Sequence, residues 1–192
     1  MIEQIRRSFK DSVQVKDAFI ARYEDQIAEV AKKIIAAYKK DHKVLLFGNG
    51  GSANDASHIA GELVNRFHRD REGLPAIALA CDPSIVTSIG NDYDFQEIFS
   101  RQVRAFGRKG DVAVAISTSG NSPNVLRGVE AAKPLGMVTI ALTGKDGGKL
   151  ASMVDYAFIV PSNSTPRIQE THITLGHVLC ELVEDALFPA NR

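Results

Sequence analysis

The chain has 192 residues, which fits one ordinary domain with a sizeable core better than two. Its 23 basic and 23 acidic side chains cancel, which removes the net field that draws a protein to nucleic acid or to an anionic membrane. Cys81 and Cys180 lie far apart without CxxC spacing, as suits free thiols in a reducing cytoplasm rather than a disulfide framework.

The opening segment, MIEQIRRSFKDSV, is charged and interrupted by polar residues, so it reads neither as a signal peptide nor as a membrane span. Residues 2 to about 40 contain no Pro or Gly, and Ile27, Val30, Ala31, Ile34, Ile35 and Tyr38 recur at helical spacing. One or two long helices are predicted, forming an N-terminal extension over 1–40. The remainder, 41–192, is read as one structural unit. It begins with an apolar run, Lys43-Val-Leu-Leu-Phe47, which stops at Gly48-Asn-Gly-Gly51 before a helical stretch from 52 to about 66. Short apolar runs follow at 76–80, 112–117, 137–142 and 156–160, each bounded by turn residues. Helical segments lie between most of them, and a last helix is predicted from about 166 to 187. Strands alternating with helices imply crossover connections, hence a three-layer α/β fold with a five-stranded parallel sheet flanked by helices.

In such a sheet ligands bind outside the carboxyl ends of the strands. After the first strand, Gly48-Asn49-Gly50-Gly51-Ser52 lets bare backbone N–H groups approach a ligand at a helix N-terminus, where the dipole favours negative charge. Alone, this loop serves equally well as a tight turn. After the third strand comes Ser117-Thr118-Ser119-Gly120-Asn121-Ser122-Pro123, in which Pro123 suits the first helical position and Ser122 the N-cap. One hydroxyl suffices for a cap; a phosphate would use the rest. Neither loop carries Lys or Arg, which fits a small phosphate ester better than a triphosphate. Gly48-x-Gly50-x-x-Ala53, with Asp82 after the second strand, also satisfies a loose dinucleotide fingerprint. The hydroxyl-rich loop argues against that reading.

His58 and Glu62 are four residues apart and project from one helix face. Spacing alone favours a solvated pair. On the last helix, Gln169 and His177 are separated by eight residues, about 80° around the axis and about 12 Å along it. Two histidines, a carboxylate and an amide oxygen form a four-ligand zinc set that also supplies an acid and a base. Gln169 and His177 can share one ion only by reaching toward each other or by coming from different subunits. His68, His172 and Glu170 read as ordinary polar residues, and His42 sits at a helix end before the first strand.

Taken together, Gly48-Asn-Gly-Gly-Ser52, His58 with Glu62, Gly90-Asn91-Asp92, the 117–122 loop, Thr143-Gly-Lys-Asp-Gly-Gly148, Arg167-Ile-Gln-Glu170 and His177 resemble the bacterial phosphoheptose isomerases, which are sugar isomerase (SIS) domain proteins acting on sedoheptulose 7-phosphate. The resemblance runs over nearly the whole chain. It implies a flavodoxin-like strand order and a heptose 7-phosphate product that feeds surface polysaccharide, whether lipopolysaccharide or capsule. It makes Glu62 the general base and His177 the general acid, and His58, Glu62, Gln169 and His177 the ligands of one zinc per subunit. Substrate contacts are implied for Asn49, Gly50, Gly51, Ser52, Glu62, Arg66, Asn91, Asp92, Ser117, Thr118, Ser119, Ser122 and Gln169. A cytoplasmic homotetramer with sites at subunit interfaces is expected, with no membrane or nucleic-acid partner. One departure is Pro166, where many members carry an acidic residue. The rival readings are a non-catalytic SIS protein that assists the bacterial replication initiator and a sugar-phosphate-binding regulator. Glu62 and His177 weigh against the first, and the lack of a partner domain against the second.

Overall fold

The computed structural model describes residues 1–189. Six α-helices and five strands follow one another as α1 (Ile2–Tyr38), β1 (Val44–Gly48), α2 (Gly51–Val64), β2 (Ala76–Ala78), α3 (Pro83–Asp92), α4 (Ile98–Phe106), β3 (Val112–Ser117), α5 (Pro123–Ala132), β4 (Val138–Gly144), β5 (Tyr156–Val160) and α6 (Thr165–Leu187). The strands form one sheet in the order β2-β1-β3-β4-β5, and every pairing is parallel. This is the architecture expected from the alternation of apolar runs and helices.

Period-two alternation sorts the side chains of each strand between two cores. Val44 and Leu46, with Val112, Val114, Ile116, Ile140, Leu142, Phe158 and Val160, face α1, α2 and α6. Leu45 and Phe47, with Ala113, Ala115 and Ala141, face α3, α4 and α5. Burial on both faces is why β1 and β3 read as unbroken apolar runs. The edge strand β2 is shorter than the apolar run 76–80, because the chain leaves the sheet to reach Asp82, whose carboxylate caps α3 through the N–H groups of Ser84 and Ile85. Asp82 is thereby engaged as a cap, which removes the ribose ligand that the dinucleotide reading required.

The N-terminal segment is a single helix of 37 residues, about 55 Å long at 1.5 Å per residue. Its buried side chains begin at Phe19. Pro166 occupies the first turn of α6, where the missing N–H costs no intrahelical bond. Among the described residues no helix is long and apolar enough to cross a membrane. Cys81 and Cys180 are both free.

α6 also carries a fully buried histidine that the sequence reading took for an ordinary polar residue. His172 is 1% exposed, its Nε2 lies 3.0 Å from the carbonyl oxygen of Thr143, and its Nδ1 has no partner. Burial depresses its pKa to about 4, against the raising effect of the Thr143 bond. A histidine depressed in the folded state contributes stability that is present above its unfolded pKa of 6.5 and lost as pH falls toward 4. Asp55, raised to about 6, acts in the opposite sense, so the informative quantity is a difference between two proteins. Urea denaturation of wild type and His172→Gln is expected to show wild type losing about 2 kcal/mol more than the variant between pH 7 and pH 5. Parallel stability curves would show that His172 does not titrate on unfolding.

Candidate active site

Strand order reverses beside β1, which pairs β2 on one side and β3 on the other. The loops after β1 and β3 therefore flank the crevice where an open parallel sheet takes its ligand. Gly48 and Ile116 are register partners, so the glycine turn and the hydroxyl loop leave the sheet side by side. Asn49 and Asn124 tie the two together with reciprocal amide hydrogen bonds of 2.8 Å. Asn124 is buried at the first turn of α5. The sequence reading assigned it no role.

In the hydroxyl loop, Ser122 takes the N-cap position with Pro123 after it, yet its side chain makes no cap bond. Its Oγ lies 3.0 Å from that of Ser117 instead. The helix start is where the sequence put it, while the hydroxyl expected to close the helix faces the loop interior. Ser119 Oγ accepts from the N–H of Asn121 at 3.2 Å, and Thr118 is half-buried. The loop after β4 braces this one from below, with Lys149 N–H donating to Asn121 and Leu150 N–H to the Gly120 carbonyl.

The chemistry lies where α2 meets α6. These helices run side by side with a nearly constant offset: Gly51 abuts Gln169, Ile59 abuts Gly176, and the N–H of Phe67 meets Glu184. Gly51 and Gly176 are glycines because a Cβ at either would strike the Gln169 amide or the Ile59 side chain. That close approach brings His58, Glu62 and His177 together. Their donor atoms all lie within 4.8 Å of one another, with His58 Nε2 3.1 Å from Glu62 Oε1 and 3.4 Å from His177 Nε2. The His58 and His177 rings meet edge-on at 5.0 Å, and Phe67 backs His177 at 5.7 Å. Electron-pair donors of two imidazoles and a carboxylate converging on one spot are a donor set suited to a divalent cation.

Gln169 stands beside the glycine turn, its amide against Gly51. Asn91 and Asp92, in the last turn of α3, are exposed and bonded to each other at 2.8 Å. Arg66 falls beyond the end of α2 at Val64, in an exposed segment, rather than in the helix of Glu62 as the sequence reading had it. Ser52 is buried in the first turn of α2. One carboxylate escaped the sequence reading altogether. Asp55, one turn before His58, has a buried Oδ2 without a partner, and burial raises its pKa to about 6 against the opposing pull of His58. Its signal was the three-residue spacing to His58.

The SIS domain family matches residues 8–144. A phosphoheptose isomerase of Thermodesulfovibrio yellowstonii is 58% identical over 186 residues, spanning 97% of this chain and 92% of the relative. One from Aquifex aeolicus is 59% identical over 185 residues, spanning 96% and 97%. The solved structure of phosphoheptose isomerase from Neisseria gonorrhoeae superposes with a TM-score of 0.90 at 44% identity, covering 95% of this chain and 98% of that one.

Proposed function

The chain belongs to the phosphoheptose isomerases of the SIS domain family, and from that premise we propose how its residues interconvert sedoheptulose 7-phosphate and D-glycero-D-manno-heptose 7-phosphate. The observation that carries the reading is the convergence of His58, Glu62 and His177 where α2 and α6 touch. Glu62 removes a proton from the carbon beside the ketose carbonyl while His177 delivers one to the carbonyl oxygen, giving an enediol. Glu62 then returns a proton to the former carbonyl carbon as the neighbouring oxygen becomes the aldehyde and gives its proton to His177. The glycine turn, through Asn49, Gly50, Gly51 and Ser52, and the hydroxyl loop, through Ser117, Thr118, Ser119 and Ser122, hold the phosphorylated sugar. Binding energy there positions the reacting carbons. Arg66, Asn91, Asp92 and Gln169 complete the substrate contacts.

His58, Glu62 and His177 would hold zinc, one per subunit, with Gln169 as a fourth ligand. Bound there, zinc supplies Lewis-acid polarisation of substrate oxygens. Two features support the homotetramer of this reading. Gln169 and His177 are too far apart along α6 to serve one ion without reach or a neighbouring copy. Ile2, Ile5, Phe9, Val13 and Ile20 are exposed along one face of α1, an apolar stripe of the kind that subunits cover. We retain the division into the helical extension 1–40 and the SIS domain 41–192, and a cytoplasmic location in keeping with the free thiols.

The test is to add sedoheptulose 7-phosphate to zinc-loaded and to chelator-stripped protein in deuterated water and to follow the sugar by NMR. The loaded enzyme is expected to form the aldose carrying solvent deuterium on carbon, and the stripped enzyme to do so far more slowly. No aldose from either overturns the substrate assignment; equal rates overturn the role of zinc.

A further inference from the structure

Beneath the α2–α6 junction lies an ion pair that the proton chemistry does not touch. The side chains of Arg71 and Glu184 are each 2% exposed, and Arg71 Nε donates to Glu184 Oε2 at 2.9 Å. Glu184 stands seven residues beyond His177 on α6, two turns along the same helix. Its carboxylate accepts the backbone N–H groups of Phe67, His68 and Arg69 at 2.8 to 2.9 Å. The Arg71 guanidinium turns the other way, onto the end of α2. Nη2 donates to the carbonyl of Glu62 and Nη1 to that of Leu63, at 2.9 and 2.8 Å. These are carbonyls of the last helical turn, which have no intrahelical donor.

Burying two charges is costly, and a buried pair is weak evidence of stability for its own sake. Here two contacts of the pair lead to groups that carry or back the chemistry. Arg71 grips the backbone of Glu62, and Glu184 fixes the N–H of Phe67, whose ring backs His177. Burial pushes the Glu184 carboxyl upward, but the three N–H groups and Arg71 prevail and hold it at about 2, so the clamp stays charged throughout the neutral range.

We propose that Arg71 and Glu184 are positioning residues that lock α2 to α6 in the register at which Glu62, His58 and His177 converge. The proposal rests on the isomerase reading, and it makes two claims that can be measured separately. Partners that orient metal ligands from behind commonly alter metal affinity or activity by about 10- to 100-fold when replaced.

The test uses Arg71→Lys, which keeps the charge and loses the fork. Steady-state kinetics on sedoheptulose 7-phosphate, zinc affinity by competition with a chromogenic chelator, and Tm are measured together. The expected result is a kcat lower by about 10- to 100-fold and zinc held about 10- to 100-fold more weakly. KM should change less than about 3-fold, because the phosphate loops are untouched. A lower Tm with kcat and zinc affinity of the folded protein unchanged overturns the proposal, and so does a change in KM alone. Should Arg71→Lys not fold, Glu184→Gln takes its place, retaining the volume and one acceptor oxygen. If neither folds, the pair is a folding element and the proposal falls. A wild-type protein inactive on the sugar defeats the isomerase reading, while the zinc measurement still decides the role of the pair.

Discussion

Glu62→Gln is expected to lower turnover by roughly 10²- to 10⁴-fold, the usual worth of a positioned acid or base, with the fold intact. The carboxylate sits in the last turn of α2, its Oε1 3.1 Å from His58 Nε2. Gln matches it in volume and in helix propensity but accepts no proton at neutral pH. The backbone at this position is held by Arg71 through the carbonyl, so the side-chain change leaves the local frame in place. Because Glu62 also belongs to the three-donor cluster, the variant is to be assayed with its zinc content and oligomeric state measured. The decisive reading is exchange of the carbon-bound hydrogen of sedoheptulose 7-phosphate with deuterated solvent. A folded, zinc-loaded variant that exchanges at the wild-type rate removes Glu62 as the base.

The sheet was legible because burial on both faces leaves a plain trace, an apolar run of strand length stopped by turn residues. β3 and β5 begin and end where the runs at 112–117 and 156–160 do. The run at 76–80 overshot β2 because an edge strand can be abandoned for a helix cap, and the apolar side chain of Leu79 is buried either way. The two loops were legible from residue type, since glycines and surplus hydroxyls have few other uses at strand ends. What Ser122 does with its hydroxyl was not, because cap and ligand contact draw on the same residue at the same position. His58 with Glu62 could be paired from helical spacing, but nothing in the sequence measures the distance from His58 to His177, 119 residues away. That distance depends on the bare Cα of Gly176 against Ile59. Long-range polar pairs such as Arg71 with Glu184, and Asn49 with Asn124, have no periodicity at all and appear only once the helices are packed.

The second large effect is expected at His177, where Gln keeps an amide donor on the same helix face but transfers no proton. Turnover of His177→Gln should fall by roughly 10²-fold or more, with KM little altered because the phosphate loops lie on β1 and β3. The more telling measurement pairs it with Glu62→Gln. If one proton leaves carbon while another reaches oxygen in a single concerted relay, removing either group disables the same step, and groups that act as a unit are far from additive. The double variant should then be scarcely slower than the slower single variant. Independent groups would instead multiply their losses, as separate sites do. Both residues contribute to the same donor cluster, so all three variants are to be compared at saturating zinc and with metal content measured. Loss factors that multiply under those conditions would assign Glu62 and His177 to separate steps, with one of them serving the metal rather than the proton.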